Sequence, residues 1–269
     1  MLSVRNATII HRKDLRELIH SVSFTVSGQD RLAVIGEEGN GKSTLLRLIA
    51  RPEQAMAYCS CSGAIDTGDE AIGYLPQELS PEEGLQPVYA FCADQPGFLE
   101  LSPKELHALC ARLRLDPALC YADCALSALS GGERIRLQLL TVLCAHPTLL
   151  LLDEPSNDLD IPSLQLLESF ICTCGLPVVF ISHDETLLTR TATRVLHLEL
   201  AHHKKEPRWT LANMPYALYM QQRAQALEKQ EAQANMDRRE ARLRQEKFQR
   251  IYQSVEHAQN TVSRPSSEP

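Results

Sequence analysis

The nine residues "GEEGNGKST", 36–44, constrain this chain more than any other stretch, because of what flanks them. Before them runs the apolar "RLAVI" and after them the helix-forming "LLRLIA", so the segment reads strand, glycine-rich loop, helix. A buried strand feeding a helix through a short loop is the repeating unit of a parallel, helix-covered sheet. The rest of the first 200 residues agrees. "FTVSG", "AIGYLP", "TLLLLD", "PVVFIS" and "RVLHLEL" read as further strands, several apolar throughout, as strands covered on both faces are. Helical patterns lie between them. One of these, "SPKELHALCARLRL", opens with Ser102 as cap, Pro103 at the first helical position and Glu105 reaching back. Only helix signals occur from about 80 to 130, which predicts a helical insert of about 80–135 beside the sheet. The fold class expected is α/β with a mostly parallel core sheet and a helical subdomain.

The glycine-rich loop matches G-x-x-x-x-G-K-[ST] in the setting that gives the pattern its meaning. Gly36, Gly39 and Gly41 let the backbone curl so that the N–H groups of Glu37, Glu38, Asn40 and their neighbours turn inward, and the helix starting near Lys42 adds its positive end. Lys42 is expected to reach the outer phosphates of a nucleotide, Ser43 to ligand Mg²⁺, and Thr44 to complete the loop. In "LLLLDEPSNDLD" a run of leucines delivers Asp153 to the end of a buried strand, where its carboxylate suits the same cation. Glu154 then stands where it can polarise an attacking water. Gln77, in "GYLPQE", is a candidate for Mg²⁺ and for that water. His183, after "PVVFIS", is a candidate for the γ-phosphate at the carboxyl ends of the strands.

In "LSGGE", Ser130 and Glu133 form a capping box, but Gly131 and Gly132 exceed what capping needs. They leave N–H groups open at a helix amino end, a second anion site with no lysine of its own. Such a site suits completing a phosphate site built elsewhere.

Charge divides the chain. Residues 1–203 carry 15 Lys and Arg against 26 Asp and Glu, whereas 204–269 carry 12 against 8. A basic tail on an acidic body points to a polyanionic neighbour or to a solvated helix face. From Leu211 the composition turns to Gln, Glu, Arg and Ala, and Met220, Leu227, Ala234, Ala241, Phe248 and Val255 recur every seven residues. The companion positions Arg223, Gln230, Asp237 and Arg244, before Ile251, are too polar for a self-sufficient coiled coil. The expected organisation is a body of 1–203, a connector of 204–210, a long helix of 211–258 and a disordered tail of 259–269. No apolar run approaches the roughly 20 residues of a membrane helix, and "MLSVRNATIIHRKD" lacks the order of a secretion signal. A cytoplasmic location without membrane insertion is expected. The nine cysteines show no C-x-x-C pair and read as reduced, small apolar side chains.

Taken in order, the loop, Gln77, "LSGGE", "LLLLDEP" and "SHD" resemble the ATP-binding cassette (ABC) ATPases over residues 1 to about 200. The resemblance implies ATP and Mg²⁺ as cofactors, ATP hydrolysis, and a signature, Ser130–Glu133, that closes over ATP held by an opposing cassette. That cassette would be a second one in a longer chain or a second copy. "LSGGERIRLQLL", "DEPSNDLDI" and "RWTLANMPYALYMQQRAQ" are similar to the ABC-F branch, with Asp158 where its histidine is usual. That branch implies a ribosome and ribosomal RNA as partners, and in some members protection from antibiotics, with this chain as the amino-terminal half or a truncated product and its long helix as the start of the linker between two cassettes. The family's adenine-stacking aromatic would fall near Ile10 or His11, and His11 is the nearest candidate. An ATP-binding subunit of a membrane transporter, or a nucleotide-binding module with little turnover, are the alternatives.

Overall fold

The computed structural model describes residues 1–201 and 206–262. Nine strands lie among them: β1 (Leu2–His11), β2 (Glu17–Val26), β3 (Arg31–Gly36), β4 (Cys59–Asp66), β5 (Ile72–Leu75), β6 (Leu149–Asp153), β7 (Val178–Ile181), β8 (Arg194–Ala201) and β9 (Glu206–Ala212). The helices are α1 (Lys42–Ala50), α2 (Pro52–Met56), α3 (Pro81–Leu85), α4 (Val88–Ala93), α5 (Pro103–Arg112), α6 (Gly131–Cys144), α7 (Ile161–Thr173), α8 (Glu185–Thr191) and α9 (Tyr216–Val262). The strands form a six-stranded sheet in the order β5-β6-β7-β3-β8-β9 and a three-stranded sheet in the order β2-β1-β4. In the larger sheet every pairing is parallel except the last, β8 with β9.

Alternation along the central strands divides the core. Leu150, Leu152, Val178, Phe180, Ala33 and Ile35 face one cluster, which they share with α4, α5 and α6. Leu149, Leu151, Val179, Ile181, Leu32 and Val34 face the other, with α1 and the three-stranded sheet. A side-chain period of two makes an all-leucine strand feed both layers at once. The parallel register places the carboxyl ends of β3, β6 and β7 on one edge, with Asp153 opposite Ile181. That edge carries the site.

Between β5 and β6 the chain is helical, as expected: α3, α4, α5 and short 3-10 turns lead into α6. The box at Ser102 is formed, with Glu105 N donating to Ser102 Oγ and Ser102 N to Glu105 Oε2. Three strands lie where none was predicted. β1 buries Leu2, Val4, Ala7 and Ile9, but Asn6 at φ 48° and the register shifts around it break the period of two. β4, "CSCSGAID", offers little apolar alternation, and Gly63 sits where a Cβ would come within 2.3 Å of the Asn6 carbonyl oxygen. β9 corrects the expected connector of 204–210: it is held by ladder bonds to β8, with Trp209 packed against the second cluster.

The chain separates into two compact units, Met1–Tyr219 and Met220–Pro269. α9 begins at Tyr216 rather than 211, because β9 and a turn occupy the residues before it, and it runs to Val262. It therefore extends past 258 into the stretch expected to be a disordered tail. The remainder of that stretch, 263–269, lies outside the described residues, as do the side chains of Phe248, Ile251 and Val255 in the expected heptad seam.

Candidate nucleotide site

The glycine-rich loop leaves β3 at Gly36, whose φ of 149° is coupled to a close approach: a Cβ there would lie 2.2 Å from the Leu198 carbonyl oxygen on β8. The same carbonyl accepts from Asn40 Nδ2 at 3.0 Å, so the loop is fastened to β8 through a buried side chain. At the far end Gly41 caps α1 with φ 81° and no side-chain acceptor, which leaves the first N–H groups of that nine-residue helix unclaimed by the cap. The Lys42 ammonium donates to the carbonyl oxygens of Gly36 at 2.8 Å and Glu37 at 2.9 Å, folded over the loop it starts from. Burial lowers the Lys42 pKa from its ordinary value, while Glu154, Glu38 and Asp153 oppose that fall.

Asp153 is fully buried at the end of β6. Its Oδ1 accepts from Ser43 Oγ at 2.8 Å and its Oδ2 from Tyr74 OH at 3.3 Å. Burial raises the Asp153 pKa, and the two hydroxyls pull it back. Asp153 in turn contributes to the rise of the Tyr74 phenol to about 12, whose first cause is burial. A hydroxyl and a carboxylate oxygen already in contact form a hard, all-oxygen donor pair, the chemistry Mg²⁺ takes.

Glu154 follows with φ 51°, a left-handed conformation that a non-glycine residue holds only under constraint. Its N–H donates to the Ile181 carbonyl of β7 at 3.2 Å, and this fixes the turn. The side chain meets His183, with Oε1 3.0 Å from Nε2, while Oε2 is buried without a hydrogen-bond partner. Burial raises the Glu154 pKa, with His183 and Lys42 opposing and Asp153 adding to the rise. A carboxylate with one oxygen held and the other unpaired is poised to accept a proton or a water.

An open cleft of about 670 Å³ collects most of the predicted residues: His11, Glu38, Gly39, Gly41, Lys42, Ser43, Thr44, Gln77, Glu154 and His183 all line it. Asp153 stands beneath Ser43. Gln77 is exposed just after β5, at the boundary with the helical insert. Sequence reasoning missed Asp14, Arg16, Tyr58 and Asn157, which also line the cleft. The positions of Asp14 and Arg16 beside His11, in the turn between β1 and β2, were the available signal.

Ser130–Glu133 does not line this cleft. The capping box at α6 is formed: Glu133 N donates to Ser130 Oγ at 3.3 Å, and Ser130 N and Oγ donate to Glu133 Oε2 at 3.0 and 2.6 Å. The glycines have a reason the sequence did not reveal. A Cβ on Gly131 would come within 2.5 Å of the Asp158 carbonyl oxygen, and one on Gly132 within 2.1 Å of Ser163 Oγ. Gly132 is buried against α7, so close packing within the chain requires at least one of the pair. Gly131 lines a second cavity of about 420 Å³, which shares Gln77, Glu154 and Asn157 with the first.

Fold and cleft together define an α/β P-loop nucleotide-binding cassette. The model of the ABC transporter family matches residues 19–157, and the chain belongs to that family, whose cassettes bind ATP and are ATPases. It is 31% identical over 233 residues to the tylosin resistance ATP-binding protein TlrC of Streptomyces fradiae, covering 71% of this chain and 41% of TlrC. It is 33% identical over 219 residues to the energy-dependent translational throttle protein EttA of Escherichia coli K12, covering 68% of this chain and 39% of EttA. The aliphatic sulfonates import ATP-binding protein SsuB of Cupriavidus pinatubonensis is 32% identical over 202 residues, 72% of this chain and 65% of SsuB. The chain thus spans less than half the length of TlrC or EttA. Among solved structures, the dimeric ATP-binding cassette MJ0796 bound to ADP and Pi shares the fold with a TM-score of 0.58 and 21% identity, covering 75% of this chain and 97% of that one.

Proposed function

We propose that this cassette hydrolyses ATP with Mg²⁺ and acts on the ribosome as an ABC-F-type protein. The hydrolytic part rests on the Glu154–His183 contact and the unpaired Glu154 oxygen at the edge of the cleft. Lys42 exchanges its bonds to the Gly36 and Glu37 carbonyls for phosphate oxygens. Ser43 and Asp153 would hold Mg²⁺, whose charge neutralises the phosphates. Glu154 orients and deprotonates the attacking water, with His183 directed at the γ-phosphate and Gln77 at water and cation. Because Ser130–Glu133 lies off the cleft, the signature serves an opposing cassette, supplied by a longer chain or a second copy.

The ribosomal part is carried by α9, a long, exposed and strongly charged helix that directly follows the cassette. Similarity to a translational throttle protein and to an antibiotic-resistance protein supports it. Among the described residues no helix is long and apolar enough to cross a membrane. Similarity to SsuB favours a second reading, the ATPase of a transporter. The deciding experiment is cosedimentation of Glu154→Gln with ribosomes in the presence of ATP, alongside turnover. The expected result is a loss of hydrolysis of at least about a hundredfold with ATP affinity retained and the variant pelleting with ribosomes. Hydrolysis unchanged in the variant would overturn the role of Glu154. Absence from the ribosome pellet would turn the case to the transporter reading.

A further inference from the structure

We infer that Tyr58, in the turn between α2 and β4, is the wall against which the base of the bound nucleotide lies, and that it sets affinity for the base in place of His11. The inference rests on the P-loop cleft being the nucleotide site. That loop fixes where phosphates go, so the remainder of a nucleotide must lie along the other lining residues: His11, Asp14, Arg16, Leu18 and Tyr58. Tyr58 brings the one six-membered aromatic ring among the residues lining the cleft.

Its backbone is held from both sides. Tyr58 N donates to the Ala55 carbonyl at 3.1 Å, the Tyr58 carbonyl accepts from Arg12 N at 2.9 Å, and the next residue, Cys59, pairs with His11 in the β1–β4 ladder. The Arg47 guanidinium lies beside the Tyr58 and Tyr74 hydroxyls. The ring is half-buried and the backbone that carries it is held before any ligand arrives, which lowers the ordering cost of binding. His11 is differently committed: its Nδ1 lies 2.7 Å from Asp14 Oδ1, and the Asp14 carboxylate also accepts from Arg16 N at 3.2 Å. That cluster ties the turn between β1 and β2 to itself, and Arg16 then donates to the Gly39 carbonyl at 3.0 Å. The signal was hidden from sequence reasoning because Tyr58 lies after the P-loop, and only the β1–β4 pairing brings it beside the amino-terminal strand.

The test measures the affinity of the full chain for ATP and for inorganic tripolyphosphate, which has no base, in wild type, Tyr58→Ala, Tyr58→Phe and His11→Ala. Stacking of a base on an aromatic ring predicts that Tyr58→Ala weakens ATP about tenfold and tripolyphosphate less than about twofold. Tyr58→Phe keeps the ring and is expected to bind both within about twofold of wild type, as is His11→Ala. Unchanged ATP affinity in Tyr58→Ala would overturn the proposal. So would an equal loss for both ligands, the mark of a structural role near Arg47, or a selective loss of ATP in His11→Ala with Tyr58→Ala intact. A wild-type chain that bound neither ligand would instead overturn the nucleotide site itself, and this proposal with it.

Discussion

Asp153 has no exposure to solvent, and its two oxygens are satisfied by different strategies: Ser43 Oγ from the helix after the loop and Tyr74 OH from β5. The charge of Lys42 helps from a distance, since its ammonium is bonded to the Gly36 and Glu37 carbonyls. Removing one hydroxyl leaves a buried carboxylate oxygen unpaired, at a cost of about 1–3 kcal/mol for a group with no compensating water. Ser43→Ala is accordingly expected to lower the stability of the nucleotide-free protein by about 1–2 kcal/mol, read as a lower urea midpoint with an unchanged slope. An unchanged midpoint would mean that water reaches Asp153. The same substitution is expected to weaken ATP binding more in the presence of Mg²⁺ than in its absence. Stability and cation binding thus meet in one side chain.

At the scale of elements, the contact of α6 with α7 decides how "LSGGE" is to be understood. Gly132→Ala places a methyl group 2.1 Å from Ser163 Oγ and 3.1 Å from Ser163 Cβ, so the Ser163 hydroxyl must rotate away and its Cβ must give by a few tenths of an ångström. The expected loss is about 1–3 kcal/mol. Ser163→Ala removes the nearer atom, and the double variant is expected to recover more than half of that loss in a denaturation cycle; strict additivity would show that the contact is not the cause. The Ser130–Glu133 box adds a pH dependence. Hydrogen bonds from Ser130 hold the Glu133 pKa below its ordinary 4.5. A depressed carboxyl stabilises the fold above its unfolded value, and the contribution is lost as pH falls through the folded one. Glu133→Gln is therefore expected to be slightly less stable than wild type at pH 7, with the difference in Tm closing below about pH 4. A difference independent of pH would assign the effect to helix propensity.

These elements also show what could be read in advance. The strands most legible in the sequence were those buried on both faces, β3, β6 and β7, where apolar residues run without interruption, and β5, β8 and the end of β2 were legible as shorter apolar or alternating runs. β1 and β4 were missed because their burial is one-sided and broken by Asn6 and Gly63. β9 was missed because "EPRWTLA" owes its state to its partner β8. The cleft was legible wherever chemistry is tied to a strand's carboxyl end, as at Lys42, Glu154 and His183. It was not legible at Tyr58, nor was the contact of Ser163 with Gly132 outside the cleft, because both depend on a long-range approach that spacing does not encode.

For the molecule as a whole, the question is what α9 adds to a body that folds around its own two core clusters. The Met1–Tyr219 unit contains both clusters and the cleft, and His197 Nδ1 and Tyr219 OH, 2.8 Å apart, close it at the first turn of α9. Beyond Tyr219 the described side chains are mostly exposed, Leu227, Met236 and Leu243 among them. Pairs such as Arg242–Glu246 and Arg244–Glu240 run along one helix and contribute only a few tenths of a kcal/mol each. The helix is thus dispensable for the core, and the stretch from Met220 onward holds 9 Lys and Arg against 7 Asp and Glu, a slight basic surplus on an otherwise acidic chain. A protein ending at Tyr219 is expected to keep its ATP affinity within about twofold and its thermal transition within about 2 °C, since no core residue is removed. It is expected not to pellet with ribosomes, whereas the full chain pellets and is released progressively as salt rises from 50 to 200 mM, as phosphate contacts require. Pelleting by the shortened protein with the same salt dependence would move the contact to the acidic body. Release that ignores salt would replace RNA phosphates with an apolar partner for the exposed residues of α9.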